Sequence, residues 1–325
     1  MTDNKEASRS QAQPPSADSQ RPWIPEHPVD TVLAARLVER QFPAERYSEF
    51  AGIEPARLGE GWDNDLWLFG DITFRFPRRA IAVDFINNEI RILPVLAPYL
   101  PVSVPSPRYI GRPSEVFPYP FYGYRLLEGS TAELLRLNSE QRRALATGLA
   151  TFLRALHHFD IRDPVARTWP VDTWRGDLTR MCRVAKKRLP MLEDTRYKSQ
   201  LPAINQVLNN PEPNAHHSEF VLHHGDLYAR HLLISDEHAL CGIIDWGDVR
   251  IGDPAVDLSI VCTFLPPDAR PAFVATYGEV NDETWRRARC FGVAHTVSVL
   301  VYALDIGDEP LLVEAEQALE YVLSS

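Results

Sequence analysis

The chain has 325 residues, of which 45% are hydrophobic and 24% charged. That is the composition of a globular protein with enough chain for two domains or lobes around a real core. The formal net charge of −10 excludes the basic face of a nucleic-acid binder; it suits a cationic small molecule and equally an ordinary soluble surface. Cys182, Cys241, Cys262 and Cys290 form no C-x-x-C pair, which argues against a zinc cluster. Cys241 and Cys262 lie in apolar runs and read as core thiols of a reducing compartment.

Residues 1–28 begin with a stretch rich in Ser, Gln, Asp and Pro that lacks an apolar signal core. A disordered tail and a cytoplasmic location are expected. Thr31 to Phe42 carries apolar residues at helical spacing and stops at Pro43. Leu58 to Asp65 is a glycine-punctuated turn region, and Leu66–Phe69 and Ile72–Phe76 are strands joined by the tight turn Gly70-Asp71. Ile72, Phe74 and Phe76 share one face of the second strand, which leaves Arg75 on the other. Arg75 is therefore either an exposed edge residue or a cation held on a rigid strand. Ile81 to Leu93 is helical, with Glu89 along its apolar stripe. Either Glu89 is solvated at the margin, or it pairs with a buried cation, for which a bidentate contact with Arg75 is the obvious candidate. Pro94 and Pro98 are expected to end or kink that helix.

A proline-rich connector, residues 101–107, leads to strands at 108–110 and 121–127. The pattern breaks at Glu128-Gly129-Ser130, so an α+β chain is expected: an N-terminal lobe of antiparallel sheet and helices over 29–127, then a mostly helical lobe over 128–325. Helices are expected at Ser139–His157, Asp172–Leu189 and Leu201–Leu208, the second strongly basic on its outer side. Leu232–Ile234 and Leu240–Ile244 flank a polar turn and form a hairpin, preceded by the strand at Val221-Leu222. It gathers three polar side chains, Asp226, His231 and Asp245, and its two carboxylates are too costly to bury without partners that a metal and phosphate would supply. Asp253 and Pro254 mark a helix start, and Arg286–Ala303 and Leu311–Leu323 complete the chain. The apolar run Phe291 to Leu304 contains His295, Thr296 and Ser298 and is too short to span a membrane.

His224-Gly225-Asp226, Ile244-Asp245-Trp246-Gly247-Asp248 and Gly252-Asp253-Pro254-Ala255-Val256-Asp257 follow one another in order. With Gly61-Trp62-Asp63-Asn64 and Phe74-Arg75-Phe76-Pro77-Arg78 ahead of them, the chain resembles the aminoglycoside phosphotransferase family over roughly residues 30 to 325. The resemblance implies a two-lobed protein-kinase-like fold and transfer of the γ-phosphate of ATP or GTP, with Mg2+, to a small-molecule hydroxyl. Asp226 would be the catalytic base, and His231 and Asp245 the metal ligands. Gly59, Gly61 and Asn64 would belong to the loop over the phosphates, and Arg75 would contact phosphate while paired to Glu89. Tyr124 would stand in the gatekeeper place before a hinge, Arg125-Leu126-Leu127, whose backbone reads the purine. Asp248 would hold an amine of the acceptor.

His231 stands where asparagine is common, and Arg75 where lysine is. The stretch Leu258 to Leu265 is apolar where aminoglycoside kinases often add carboxylates. An aminoglycoside acceptor therefore competes with a macrolide or another amine-bearing one, and a non-catalytic kinase-like binding module is the alternative of another class. Neither nucleic acid nor membrane is an expected partner, and monomer and homodimer both remain open.

Overall fold

The computed structural model describes residues 24–209 and 220–324; the expected tail lies outside them as far as residue 23. Helix α1 (Thr31–Gln41) starts where the Asp30 carboxylate accepts from Leu33 N at 2.8 Å. Strands β1 (Ala56–Glu60), β2 (Asn64–Phe69) and β3 (Ile72–Pro77), helix α2 (Ala82–Leu96), and strands β4 (Tyr109–Gly111) and β5 (Phe121–Arg125) follow. The strands form an antiparallel sheet in the order β1-β2-β3-β5-β4. Alternation along β3 sends Phe74 and Phe76 into an aromatic core with Phe42, Phe50, Tyr109 and Phe121. Pro94 lies inside α2 and does not end it. Ile92, Leu93 and Leu96 are fully buried around it, and that apolar packing outweighs the one backbone hydrogen bond proline removes.

The second lobe contains β6 (Ser130–Thr131), α3 (Ser139–Ala144), α4 (Ala146–His157), α5 (Leu178–Arg188), α6 (Leu201–Asn209), β7 (Val221–His223), β8 (Leu232–Ile234) and β9 (Leu240–Ile243). It ends with β10 (Arg250–Gly252), α7 (Ala255–Thr263), α8 (Arg270–Tyr277), α9 (Asp282–Ile306) and α10 (Glu309–Ser324). The expected hairpin is β8–β9, joined by β6 on its outer edge. A separate antiparallel pair, β7–β10, sets the loop that carries Asp226 beside the one that carries Asp248.

Several boundaries differ from expectation. Two helices, broken at Leu145, replace the single one expected over 139–157. Helix α5 begins only at Leu178, because the Asp172 carboxylate accepts N–H bonds from Trp174, Arg175 and Gly176 at 2.7–2.8 Å and winds 172–177 into a loop. Helix α7 begins one residue after Pro254, with Asp253 Oδ1 accepting from Ala255 N at 2.9 Å. All nine residues of α7 are buried, so most of this apolar run is core and not an acceptor wall. Cys182, Cys262 and Cys290 are buried, whereas Cys241 is only half-buried, because it lies on the rim strand β9. Helix α9 is long and apolar enough to cross a membrane, but 72% of its most apolar window is buried inside the molecule, where it packs on α5, α7 and α10.

Candidate active site

The site forms where the two lobes meet. Arg75, on the face of β3 opposite the aromatic core, is only 4% exposed. Its Nε lies 3.5 Å from Glu89 Oε2 on α2, and its Nη2 donates to Asp245 Oδ1 at 2.7 Å. The expected pair with Glu89 is present, but the contact is not bidentate: the fork spans two carboxylates from different lobes. Glu89 also accepts from Trp246 N at 3.0 Å. Burial pushes the Glu89 carboxyl up to about 7, against the pull of the Arg75 charge.

Asp245 has φ 64, a left-handed conformation uncommon for a non-glycine residue. It presents a carboxylate that is 41% exposed while its neighbours are buried. Burial acts to raise this carboxyl, but the charges of Arg75 and His231 prevail and hold it well below the usual range. His231 Nδ1–H donates to the Asp226 carbonyl at 2.6 Å, which aims Nε2 at Asp245 Oδ2, 3.4 Å away. Burial pulls the imidazole pKa down; the hydrogen bond and charge of Asp245 more than reverse this and raise it.

Asp226 follows Gly225, whose φ of 88 and whose approach to the Asp248 carbonyl, 2.4 Å from any added Cβ, both require glycine. The Asp226 Oδ1 atom faces His295 Nε2 at 3.2 Å and Arg175 Nη1 at 3.4 Å. Its other oxygen, Oδ2, lies 4.0 Å from His231 Nδ1. Burial opposes ionisation, but Arg175 and then His295 hold the carboxyl far below its usual range. His224 is a structural hydrogen-bonder: its Nε2–H donates to Ile244 O at 3.0 Å, and its Nδ1 accepts from Asp226 N at 3.3 Å.

The remaining expected residues are divided. Gly59 has open space where a Cβ would stand, a Cβ on Gly61 would meet the Asn64 carbonyl at 3.9 Å, and Gly61 N–H donates to Asn64 O at 2.9 Å, closing a tight turn. Asn64 is buried, with its side-chain oxygen lacking a hydrogen-bond partner. Tyr124 is buried at the end of β5, and Arg125 is exposed, 3.1 Å from Asp71. Leu126 N–H donates to Asp71 O at 2.7 Å, so this N–H is already committed and cannot also read a purine. Leu127, half-buried against Tyr122 and Tyr124, is the better placed of the pair. Asp248 is 9% exposed; its Oδ2 accepts from Arg175 Nη2 at 2.6 Å, and its buried Oδ1 has no hydrogen-bond partner among the described residues.

Arg175 and His295 are the two contacts of Asp226 that sequence patterning misses. Asp257 is a third omission: its two oxygens accept from His224 N at 2.7 Å and Gly225 N at 2.9 Å. Only the end of the Gly252 to Asp257 motif could have pointed to Asp257, and nothing in the local pattern marks the other two.

Asp245 and His231 are the residues able to hold a divalent cation. Among the described residues no three His, Cys, Asp or Glu side chains converge as a metal site. A magnesium ion shared with nucleotide phosphates needs only one or two protein ligands, so the exposed Asp245 carboxylate fits it, with His231 Nε2 able to join once its imidazole has given up the proton that Asp245 favours.

A family model described as "Phosphotransferase enzyme family" matches residues 54–291. Comparison with the curated proteins finds no match. Among solved structures, the GDP complex of wild-type aminoglycoside 2'-phosphotransferase-IIIa is 27% identical with TM-score 0.66, over 91% of this chain and 99% of that one. The GDP and kanamycin complex of APH(2")-IIia is 27% identical with TM-score 0.65, over 90% and 98%. Macrolide 2'-phosphotransferase type I, at 24% identity and TM-score 0.58 over 90% and 98%, shares the fold. The chain belongs to the phosphotransferase enzyme family, with its two-lobed kinase-like fold.

Proposed function

We propose that this protein transfers the terminal phosphoryl group of ATP or GTP to a hydroxyl of a small molecule. Residues 29–127 would form the nucleotide lobe and 128–325 the acceptor lobe. The observation that carries this reading is the convergence of Asp226, His231, Asp245 and Arg75 from both lobes, linked through contacts of 2.6–3.4 Å. Phosphoryl transfer needs positioning and charge neutralisation more than covalent help, and this set supplies both. Arg75, pinned between Glu89 and Asp245, offers a fixed cation to phosphate. Asp226, with Oδ1 engaged by His295 and Arg175, offers Oδ2 to orient the acceptor hydroxyl and take its proton as the bond to phosphorus forms. A carboxyl so acidic is a weak base, which suits a loose transition state in which the proton leaves late. Magnesium held by Asp245 and His231 would neutralise charge on the phosphates.

An aminoglycoside acceptor is supported by the kanamycin named with a relative of 27% identity. A hydrophobic acceptor of macrolide type is supported by Met181, Val256 and Phe291, which line the cleft at Asp226. The test is an acceptor-dependent turnover screen with ATP and with GTP. Nucleotide consumption coupled to a phosphorylated product supports the proposal; nucleotide binding without product from any acceptor supports the binding-module alternative.

A further inference from the structure

Cys182 on α5 and Cys290 on α9 meet inside the second lobe with their sulfurs 3.3 Å apart, although 108 positions separate them along the chain. They are only 2% and 3% exposed. Besides each other, the pair has one long sulfur contact, from Cys290 Sγ to Val207 O at 3.8 Å. Cys241 Sγ lies 3.3 Å from Glu128 O and from Leu233 O, and Cys262 Sγ lies 3.7 Å from Arg270 Nη2. Of the four cysteines, all within the described residues, only Cys182 and Cys290 face another thiol.

The two sulfurs are not equivalent. A hydrogen bond from Cys290 lowers the Cys182 pKa against the effect of burial; Lys186, one turn along α5, adds to it, and Asp177 opposes it. Burial raises the pKa of Cys241 and of Cys262, and the contact with Cys182 raises that of Cys290. Cys182 is therefore the nucleophilic sulfur of the set. Its thiolate attacks one oxygen of a hydroperoxide, the S–O bond forming as the O–O bond breaks, and leaves a sulfenic acid. The Cys290 sulfur then attacks the Cys182 sulfur, and the departing hydroxide takes the Cys290 proton as water. With hydrogen peroxide, two thiols and one peroxide become one disulfide and two waters. The sulfurs together lose two electrons, and the peroxide gains them. Burial admits so small an oxidant sooner than a bulky disulfide.

The same two helices flank the proposed base. Met181 and Phe291, the chain neighbours of the two cysteines, line the cleft at Asp226. Arg175, in the loop ahead of α5, and His295, on α9 beyond Cys290, both contact Asp226 Oδ1, at 3.4 and 3.2 Å. A disulfide holds its sulfurs about 2 Å apart, so the bond draws them together by roughly 1.3 Å from their present 3.3 Å. A misplacement of about 1 Å among positioning groups is enough to lower turnover about a hundredfold. We propose that Cys182 and Cys290 are a modification site: a hydroperoxide joins them in a disulfide that staples α5 to α9 and shifts the side chains holding Asp226. The effect on turnover rests on the phosphotransfer reading above; the disulfide itself does not.

Full-length protein would be reduced, freed of reductant, exposed to hydrogen peroxide and alkylated under denaturing conditions for mass spectrometry. The expected product is a peptide pair joining Cys182 to Cys290, with an intact mass lower by two hydrogens, both reversed by dithiothreitol. C290S is expected to stop at a sulfenic acid on Cys182, trapped by dimedone. Oxidation of the wild type confined to Cys241, or cross-links between chains alone, overturns the site. Turnover of ATP or GTP with an acceptor panel of aminoglycosides and macrolides is expected to fall by about tenfold to a hundredfold in the cross-linked wild type, and to be unchanged in peroxide-treated C182S. Unchanged turnover in the cross-linked protein, or an equal fall in C182S, overturns the coupling. If neither redox state phosphorylates any acceptor, the phosphotransfer reading fails, and the NMR signal of the His295 imidazole, assigned by its loss in H295Q, reads the coupling instead. A shift of that signal on cross-linking supports the coupling; an unchanged signal overturns it.

Discussion

At the scale of single residues, two side chains bear most of the proposed chemistry. Asp226→Asn keeps the shape of the side chain but removes its capacity to take a proton. Its kcat is expected to fall by about 10²- to 10⁴-fold while nucleotide affinity is retained, which single-turnover kinetics and nucleotide titration check. Strand parity placed Arg75 and the helical stripe placed Glu89, which made their pairing one of two readings; the burial of both side chains decides it. The contact from Arg75 to Asp245 spans 170 positions, and no local pattern encodes it. Because Arg75 is buried between two carboxylates, Arg75→Ala leaves Glu89 buried without its cation. A loss of about 3–5 kcal/mol is expected, measured by urea denaturation at neutral pH.

At the scale of elements, the β8–β9 hairpin and the alternating β3 strand were legible because apolar period and turn chemistry agree. Boundaries failed where a side chain competed with the helix, as Asp172 does by gathering three backbone N–H groups ahead of α5. Asp257, at the first turn of α7, binds the backbone of His224 and Gly225 in the same way. Burial raises the Asp257 carboxyl, yet the hydrogen bond from His157 and nearby histidine charge bring it down from 3.8 to about 2. Its folded pKa is therefore below the unfolded value, so the unfolded chain binds more protons in that range. The stabilisation is present above about pH 4 and lost as pH falls through about 2, and it is worth about 2 kcal/mol. In Asp257→Asn, stability measured by denaturant titration should be lower at neutral pH and flatter between pH 4 and 2.

At the scale of the whole molecule, the two lobes share a core, where Ile92, Leu93, Leu96 and Val104 join the second lobe's apolar residues and Ser103 bridges to Gly242. They also meet at the site. Arg75 reaches Asp245, Glu89 accepts from Trp246 N, Trp62 packs edge-on to Tyr302 at 4.9 Å, and Gly247 lets Phe85 of α2 approach. The order of motifs along the chain made this architecture legible. The acceptor site was less so, because Arg175, which binds one oxygen of Asp248, reaches it from a distant loop that no local pattern links to it. A nucleotide bound where these contacts converge should stabilise both lobes together. At 100 times Kd, ATP or GTP with magnesium is expected to add about 2.7 kcal/mol, and Asp245→Ala should lose the magnesium-dependent part, as differential scanning calorimetry would show.

The central claim is phosphoryl transfer with Asp226 as base. It is tested most directly by mass spectrometry of the acceptor panel incubated with ATP or GTP and magnesium, using wild-type protein and Asp226→Asn side by side. The account predicts a phosphorylated acceptor from the wild type and almost none from the variant over the same time. Equal product from both would contradict the assignment of the base, and no product from either would contradict the proposed reaction.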